Sequence, residues 1–94
     1  MNYSITYLED TTIITFSTGA VVVLDENLSE FSPRHSGQNW LLFTTEERNV
    51  YIHSNGSGQQ WFCGGMLHRD DGPAVIYSNG EKHWFQHGDP IESK

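Results

Sequence analysis

The chain has 94 residues and a mass of 10.7 kDa, with 5 basic residues against 12 acidic ones and a net charge of −7. This length supports one hydrophobic core, so a multidomain enzyme is excluded. Aromatic residues make up 13% of the chain, which is too many for a disordered protein. Because a negative surface repels phosphate backbones and anionic lipids, we expect neither direct nucleic-acid binding nor membrane binding.

The negative charge is concentrated in the N-terminal half of the chain. Residues 1–49 hold seven acidic residues against two arginines, whereas residues 50–94 hold five acidic and three basic residues. The single cysteine, Cys63, has no partner for an internal disulfide, and the N-terminus lacks the basic start and apolar run of a signal peptide. We therefore expect a cytoplasmic protein.

Short runs of β-branched and aromatic residues, separated by turn residues, predict strands over most of the chain. Residues 3–8 alternate in the manner of a half-buried strand, and residues 12–24 predict a hairpin that turns at Thr18-Gly19. Residues 25–38 lack a strand pattern and contain Pro33, so they predict a long loop.

The second half of the chain predicts a series of hairpins. Its expected strands, in chain order, cover residues 39–44, 49–53, 59–63, 66–67, 74–78 and 82–86. We therefore expect a single all-β domain over residues 1–94, built of consecutive antiparallel β-hairpins that form one curved sheet. Residues 1–49 supply acidic hairpins and the long loop, and residues 50–94 supply hairpin repeats.

An internal repeat supports the division into hairpins. Residues 51–56 match residues 75–80 with a shift of 24, and residues 61–65 match residues 84–88 with a shift of 23. Each copy contains two apolar runs around an Asn-Gly turn, so the repeated unit is a hairpin.

The stretch Leu67–Val75 reads Leu-His-Arg-Asp-Asp-Gly-Pro-Ala-Val, and Trp84-Phe85 follows after an apolar strand and a glycine turn. This pattern resembles a MORN-like hairpin repeat of small bacteriophage and bacterial proteins, whose signature is Leu-His-Arg-x-Asp-Gly-Pro-Ala. The copy that should begin at Gly88 departs from the signature, because residues 89–93 lack the His-Arg pair. The resemblance implies a hairpin-repeat fold and little chemistry, since members of that family seldom have an assigned activity.

A cluster of His68, Arg69, Asp70 and Asp71 has the residue types of a general acid–base site. A structural role is favoured, because Asp-Gly-Pro is typical of a turn and Arg69 can pair with a neighbouring acid. Cys63 and a histidine have the residue types of a nucleophile pair, but an apolar strand favours a buried structural thiol. We therefore expect no catalytic residues and no enzymatic activity.

Four histidines, His53, His68, His83 and His87, are candidate metal ligands, since imidazole is a common ligand. On a strand, His83 and His87 would lie some 13 Å apart, since a strand rises about 3.3 Å per residue. His53 and His68 bring no spacing typical of a metal site. We therefore expect neither a metal ion nor a cofactor.

Paired acidic residues fall at the predicted turns and have two interpretations. The pairs are Glu9-Asp10, Asp25-Glu26, Glu46-Glu47 and Asp70-Asp71. They either keep the turns solvated and protect sheet edges, or they form a negative surface that occupies a basic groove of a partner protein.

The resemblance to bacteriophage proteins favours the second interpretation. It predicts a non-enzymatic, acidic protein-binding module, encoded by a phage, that inhibits a host defence or nucleic-acid-handling complex in the host cytoplasm, as an anti-CRISPR protein does. The alternative is a structural or membrane-associated repeat module of the MORN type.

The predicted partner-binding surface combines carboxylates with one aromatic anchor. Its residues are Asp25, Glu26, Glu30, Phe31, Glu46 and Glu47. The carboxylates would pair with the basic surface of a host protein complex, and Phe31, which no strand pattern explains, would be exposed as the anchor. A free edge strand also predicts a homodimer.

Overall fold

The computed structural model describes residues 2–37, 39–56, 58–70, 72–77 and 79–91, and every regular element within them is a β-strand. The strands are β1 (Tyr3–Tyr7), β2 (Thr12–Phe16), β3 (Val21–Leu24), β4 (Ser32–Ser36), β5 (Trp40–Thr44), β6 (Arg48–His53), β7 (Gly58–Cys63), β8 (Met66–Leu67), β9 (Val75–Tyr77), β10 (Lys82–Gln86) and β11 (Asp89–Ile91). All strand pairs are antiparallel. The prediction of an all-β fold of antiparallel hairpins is therefore confirmed.

The strands are divided between two sheets. The smaller sheet has three strands in the order β1-β2-β3, and the larger has eight in the order β11-β10-β9-β7-β6-β5-β4, with β8 paired to β7. One core cluster contains buried residues from β2 and β3 of the smaller sheet and from β5, β6 and β7 of the larger. The smaller sheet thus covers one face of the larger, and this second layer is why the hairpins do not remain one curved sheet.

Large side chains from both sheets fill the core. Its fully buried members include Ile14 and Leu24 from the smaller sheet and Phe43, Val50 and Trp61 from the larger. In β3 the inward positions alternate with exposed ones: Val22 and Leu24 are buried, and Val21 and Val23 are exposed. The period of two in residues 12–24 therefore marks the inward positions correctly, whereas in β5 the outward Leu42 is buried as well.

Strand β4 lies where the sequence predicts loop. Residues 32–36 pair with β5 in a continuous register from Ser32 opposite Thr44 to Ser36 opposite Trp40. Four of its five residues are exposed, so it carries no apolar alternation to reveal it. Pro33 is tolerated because β4 is an edge strand, where a missing backbone N–H leaves no neighbour unsatisfied. The loop prediction is wrong for these residues, and Gln38 lies outside the described residues.

The two copies of the repeat form equivalent hairpins. Ile52 pairs with Gln59 in the β6–β7 hairpin, and Ile76 pairs with Lys82 in the β9–β10 hairpin. The shifts between these positions are 24 and 23 residues, as in the sequence match. The extra residue therefore lies in the first turn, where Ser57 is outside the described residues.

Candidate functional site

The connection between the two sheets, residues 25–31, is fixed by backbone and side-chain hydrogen bonds. The Thr12 hydroxyl donates to the Glu26 carbonyl at 2.7 Å and accepts from the Leu28 N–H at 2.9 Å. The Asn27 amide donates to the Leu8 carbonyl, and Leu28 is fully buried. This connection is therefore an ordered part of the molecule.

Two neighbouring carboxylates of this connection each bind an arginine. Arg48 begins β6 of the larger sheet, and Arg69 follows β8. An oxygen of Asp25 lies 2.5 Å from an Arg69 guanidinium nitrogen, although the two residues are 44 positions apart in the chain. An oxygen of Glu26 lies 3.0 Å from a nitrogen of Arg48. Asp25 and Glu26 therefore neutralise two cations inside the molecule.

Both arginines lie over the same buried tryptophan. The guanidinium carbon of Arg69 is 3.9 Å from the centre of the Trp61 ring, and that of Arg48 is 5.8 Å away. Arg48 also lies 5.3 Å from the Phe31 ring centre. We call Asp25, Glu26, Arg48, Trp61 and Arg69 the arginine–tryptophan cluster. Cation–π contacts and charge-assisted hydrogen bonds hold it together.

Phe31 is part of the core. Its side chain is 7% exposed and belongs to the same cluster as Leu28 and Phe43. The expectation of an exposed aromatic anchor at Phe31 is therefore wrong. The loop residue without a strand pattern is explained by packing beneath Arg48.

The arginine of the Leu-His-Arg stretch is buried, with 1% of its side chain exposed. It donates to the Pro73 carbonyl at 3.2 Å. A Cβ at Gly72 would lie 2.8 Å from the Arg69 guanidinium carbon, so the Gly-Pro turn makes room for this side chain. The carboxylate that binds Arg69 here is Asp25, which is 44 positions away in the chain and not the neighbouring acid that the sequence suggests. Asp71 lies outside the described residues. Arg48 and Trp61, which complete the cluster, carry no sequence signal of this role.

His68 has both ring nitrogens occupied. Its Nδ1 accepts the backbone N–H of His87 at 3.0 Å, and its Nε2 lies 2.9 Å from an oxygen of Asp70. Because Nδ1 is an acceptor, the neutral ring carries its proton on Nε2 and donates it to Asp70. His68 therefore links a turn to a loop and offers no free nitrogen to take a proton from Cys63.

Cys63 is half-buried and lies with His68, Arg48 and Glu47 along a cleft of about 340 Å³. A nucleophilic thiolate needs an available base or an unpaired positive charge beside it. Both nitrogens of His68 are engaged, and Arg48 is paired with Glu26. The cleft thus brings together the residue types of a catalytic pair, but the two nitrogens of His68 are engaged by His87 and Asp70.

The described residues contain no group of three or more His, Cys, Asp or Glu side chains that could hold a metal ion. None of their elements is a helix long and apolar enough to cross a membrane. Burial, with a smaller contribution from Tyr3, raises the pKa of Tyr7 above its ordinary value of 10.0. Tyr7 lies on β1 at the surface and is not part of the cluster.

The acidic residues are collected at one end of the molecule. Because the strands alternate in direction, residues 8–11, 25–31, 45–47 and 64–70 meet there, and the turn 87–88 joins them through the Gly88 bond to the Leu67 carbonyl. We call this the acidic end. It contains nine of the ten described carboxylates: Glu9, Asp10, Asp25, Glu26, Glu30, Glu46, Glu47, Asp70 and Asp89.

In the described part of the chain, the opposite end is formed by residues 17–20, 37, 39, 54–56 and 79–81. The Thr18 hydroxyl binds the Ser54 carbonyl there, and the Ser54 N–H binds the Asn39 carbonyl. Glu81 is its single described carboxylate. The fold therefore separates charge along the strands, which composition alone does not reveal.

The six predicted site residues therefore fall into three groups. Asp25 and Glu26 are paired with arginines. Glu30, Glu46 and Glu47 are exposed at the acidic end and make no ion pair within the described residues. Phe31 is buried below them, as described above.

The chain matches no protein family model, and no curated protein or solved structure matches it. The likeness of residues 67–75 to the MORN-like signature thus rests on the sequence of those residues alone.

Proposed function

We propose that this protein is a non-enzymatic binding module whose acidic end docks on a basic surface of a partner protein. The supporting observation is the charge separation: nine of ten described carboxylates lie at one end of the strands. Two of them are neutralised by Arg48 and Arg69. Seven remain without an arginine or lysine partner in the described residues, and they give that end a strong negative potential.

The arginine–tryptophan cluster supports this function by holding the acidic end rigid. It fastens the connection 25–31 to the larger sheet, so Glu30 keeps its place relative to Glu46 and Glu47. A preorganised set of carboxylates loses little conformational entropy when a basic partner binds. We therefore expect the acidic end to associate rapidly with its basic partner, at a rate that falls as salt is added.

The finer proposal concerns the partner. The resemblance of residues 67–75 to small bacteriophage proteins, with the net charge of −7, supports a host defence or nucleic-acid-handling complex such as a CRISPR effector. Such complexes carry basic grooves that bind phosphate backbones, and a carboxylate surface competes for the same groove.

The experiment compares two variants of equal charge. Glu46→Gln with Glu47→Gln changes the net charge from −7 to −5 at the acidic end, and Ser17→Lys with Asn39→Lys does so at the opposite end. All four positions are exposed. A partner captured from host lysate with the wild-type chain and identified by mass spectrometry is then used for binding kinetics with both variants.

We expect the association rate to fall about tenfold in the glutamine variant and to change little in the lysine variant. The wild-type rate should also decrease as salt is added, because screening weakens attraction between exposed charges. Equal effects of the two variants, or capture of no basic protein, would contradict the proposal.

A further inference from the structure

The larger sheet has a second face that no other layer covers within the described residues. Opposite residues of an antiparallel pair share a face, and one row of opposite residues crosses six strands. The row reads Arg34, Leu42, Tyr51, Gln60, Val75, His83. Leu42 and Val75 are buried yet lie outside the core cluster, so this row faces away from the smaller sheet. We call this side of the larger sheet the outer face.

Aromatic side chains dominate the outer face. Trp40 and Phe62 flank Tyr51, with ring centres 6.4 Å and 5.5 Å from it in edge-to-face contact. Trp40 also contacts His53 at 4.8 Å, and Tyr77, which is 49% exposed, contacts the ring of His83. These aromatic side chains are half-buried or exposed, whereas Leu42 and Val75 in the same row are buried. The face is therefore an apolar surface and not a second core.

The outer face carries no carboxylate among its described strand residues. Arg34 is its single residue with a formal charge at pH 7. The only carboxylate within the larger sheet's strands is Asp89, which lies opposite Gln86 on the other side. In a chain of net charge −7, such a face is a marked exception. Depletion of charge with enrichment of aromatic residues is typical of the centre of a protein interface.

We propose that the outer face is the interface of a homodimer, in which two copies of this chain pack their outer faces together. A basic partner is attracted to the acidic end, whereas the described strand residues of this face carry no carboxylate. Glu81, in the turn before β10, places a carboxylate oxygen 3.5 Å from the His83 ring at one end of the row. For a second copy the lack of carboxylates in these strands is favourable, because two chains of charge −7 can pack their rows in opposite directions without placing their Glu81 carboxylates opposite each other.

The geometry of the row fits a two-fold axis. Five spacings of about 4.8 Å make the row roughly 24 Å wide, which is most of one side of a molecule whose extents are 35 × 30 × 28 Å. When two rows pack in opposite directions, Arg34 at one end lies over the partner's His83 at the other. The two arginines are then far apart, and Tyr51 and Gln60 lie next to the axis.

The test adds one negative charge beside that axis. Gln60→Glu keeps the side-chain shape and places two carboxylates near each other in the dimer. Gln59→Glu is the matched control, because Gln59 directly precedes Gln60 in β7, is also half-buried, and lies on the opposite side of the sheet near Val23. Tyr77→Glu is a second interface variant at an exposed position, in case Gln60→Glu impairs folding.

Sedimentation equilibrium over a range of concentrations should give a wild-type mass twice that of the 10.7 kDa chain. We expect Gln60→Glu or Tyr77→Glu to raise the dimer dissociation constant at least about tenfold, and Gln59→Glu to leave it nearly unchanged. Added salt should strengthen the dimer by screening the like net charges, whereas it weakens binding of a basic partner.

Three results would overturn the proposal. They are a monomer at every concentration, equal weakening by Gln59→Glu, and a dimer that is lost only in Val23→Glu. The last result would place the dimer at the edge of β3, where Val21 and Val23 are 58% and 62% exposed. If the chain is a dimer but the acidic-end variants bind the captured partner as the wild type does, the dimer proposal stands and the proposed function fails.

Discussion

The guanidinium carbon of Arg69 lies 3.9 Å from the centre of the Trp61 ring, and one guanidinium nitrogen binds Asp25 of the connection between the two sheets. One side chain thus joins a tryptophan of the larger sheet to the connection that leaves the smaller one. Since Trp61 is 1% exposed, the stack is screened from water, where a cation–π contact is strongest.

Arg69→Ala should lower the free energy of unfolding by about 2–4 kcal/mol, because it removes a desolvated cation–π contact and leaves a cavity over Trp61. Arg69→Lys keeps the charge but not the planar stack, so about half of that loss is expected. Urea unfolding followed by tryptophan fluorescence measures both. A loss below about 1 kcal/mol in the alanine variant would show that the stack contributes little.

Gly72→Ala should be destabilising by about 1–3 kcal/mol, because the new methyl group would lie 2.8 Å from the Arg69 guanidinium carbon. Gly58→Ala is the control, since its methyl group would meet Trp40 at an ordinary 3.5 Å. Thermal unfolding of the two variants should separate them clearly. In the Arg69→Ala background the cost of Gly72→Ala should shrink, and an unchanged cost there would mean that the crowding lies elsewhere.

Glu26→Gln should cost about 0.5–1 kcal/mol of stability, because Glu26 is 18% exposed and pairs with Arg48, which is 38% exposed. Glu46→Gln, which removes an exposed carboxylate of the same end, should be neutral or slightly stabilising through reduced repulsion. Chemical denaturation at low and high salt checks the difference. Equal effects of the two changes would indicate that the ion pair contributes nothing.

His87→Asn should stabilise the β10–β11 hairpin by about 0.5 kcal/mol, because His87 has a φ of 53° and Asn-Gly is the preferred pair for a two-residue turn with positive φ at both positions. The backbone N–H bonded to His68 is retained in this variant. Gly88→Ala, at a φ of 85°, should be destabilising by about 1 kcal/mol. Differential scanning calorimetry should show a higher melting temperature for His87→Asn and a lower one for Gly88→Ala than for the wild type.

We expect ionisation of Tyr7 to lower the free energy of unfolding at alkaline pH. Burial raises the pKa of Tyr7 above 10.0 in the folded chain, so the unfolded chain releases this proton more easily. The contribution of Tyr7 is full below the unfolded value near 10 and is lost as pH rises through the raised folded value. Urea unfolding at pH 9 and pH 11 should show a smaller decrease in Tyr7→Phe than in the wild type.

The hairpins could be predicted from the sequence because their signals are local. Alternation in residues 12–24 and the Asn79-Gly80 turn both depend on neighbours in the chain. Strand β4 could not be predicted from the sequence, because an exposed edge strand that contains Pro33 has no apolar pattern. It is defined by its pairing with β5.

The candidate site was predicted only in part, for a related reason. Turns attract acidic residues, so the sequence places Glu46 and Glu47 at a turn correctly. Whether a carboxylate is free or paired depends on residues distant in the chain. Asp25 and Arg69 are 44 positions apart, and no local pattern connects them. Phe31 was misplaced for the same reason, since the arginine above it is Arg48.

The order of the strands has a kinetic consequence. Apart from β7 with β9, every strand pair joins neighbours along the chain, so each hairpin closes a short loop at a small cost in entropy. The contact between Asp25 and Arg69 closes a far longer loop and gains its strength only once water has left Trp61. Folding should therefore begin as separate hairpins and end when the arginine docks, with Arg69→Ala speeding unfolding far more than it slows folding.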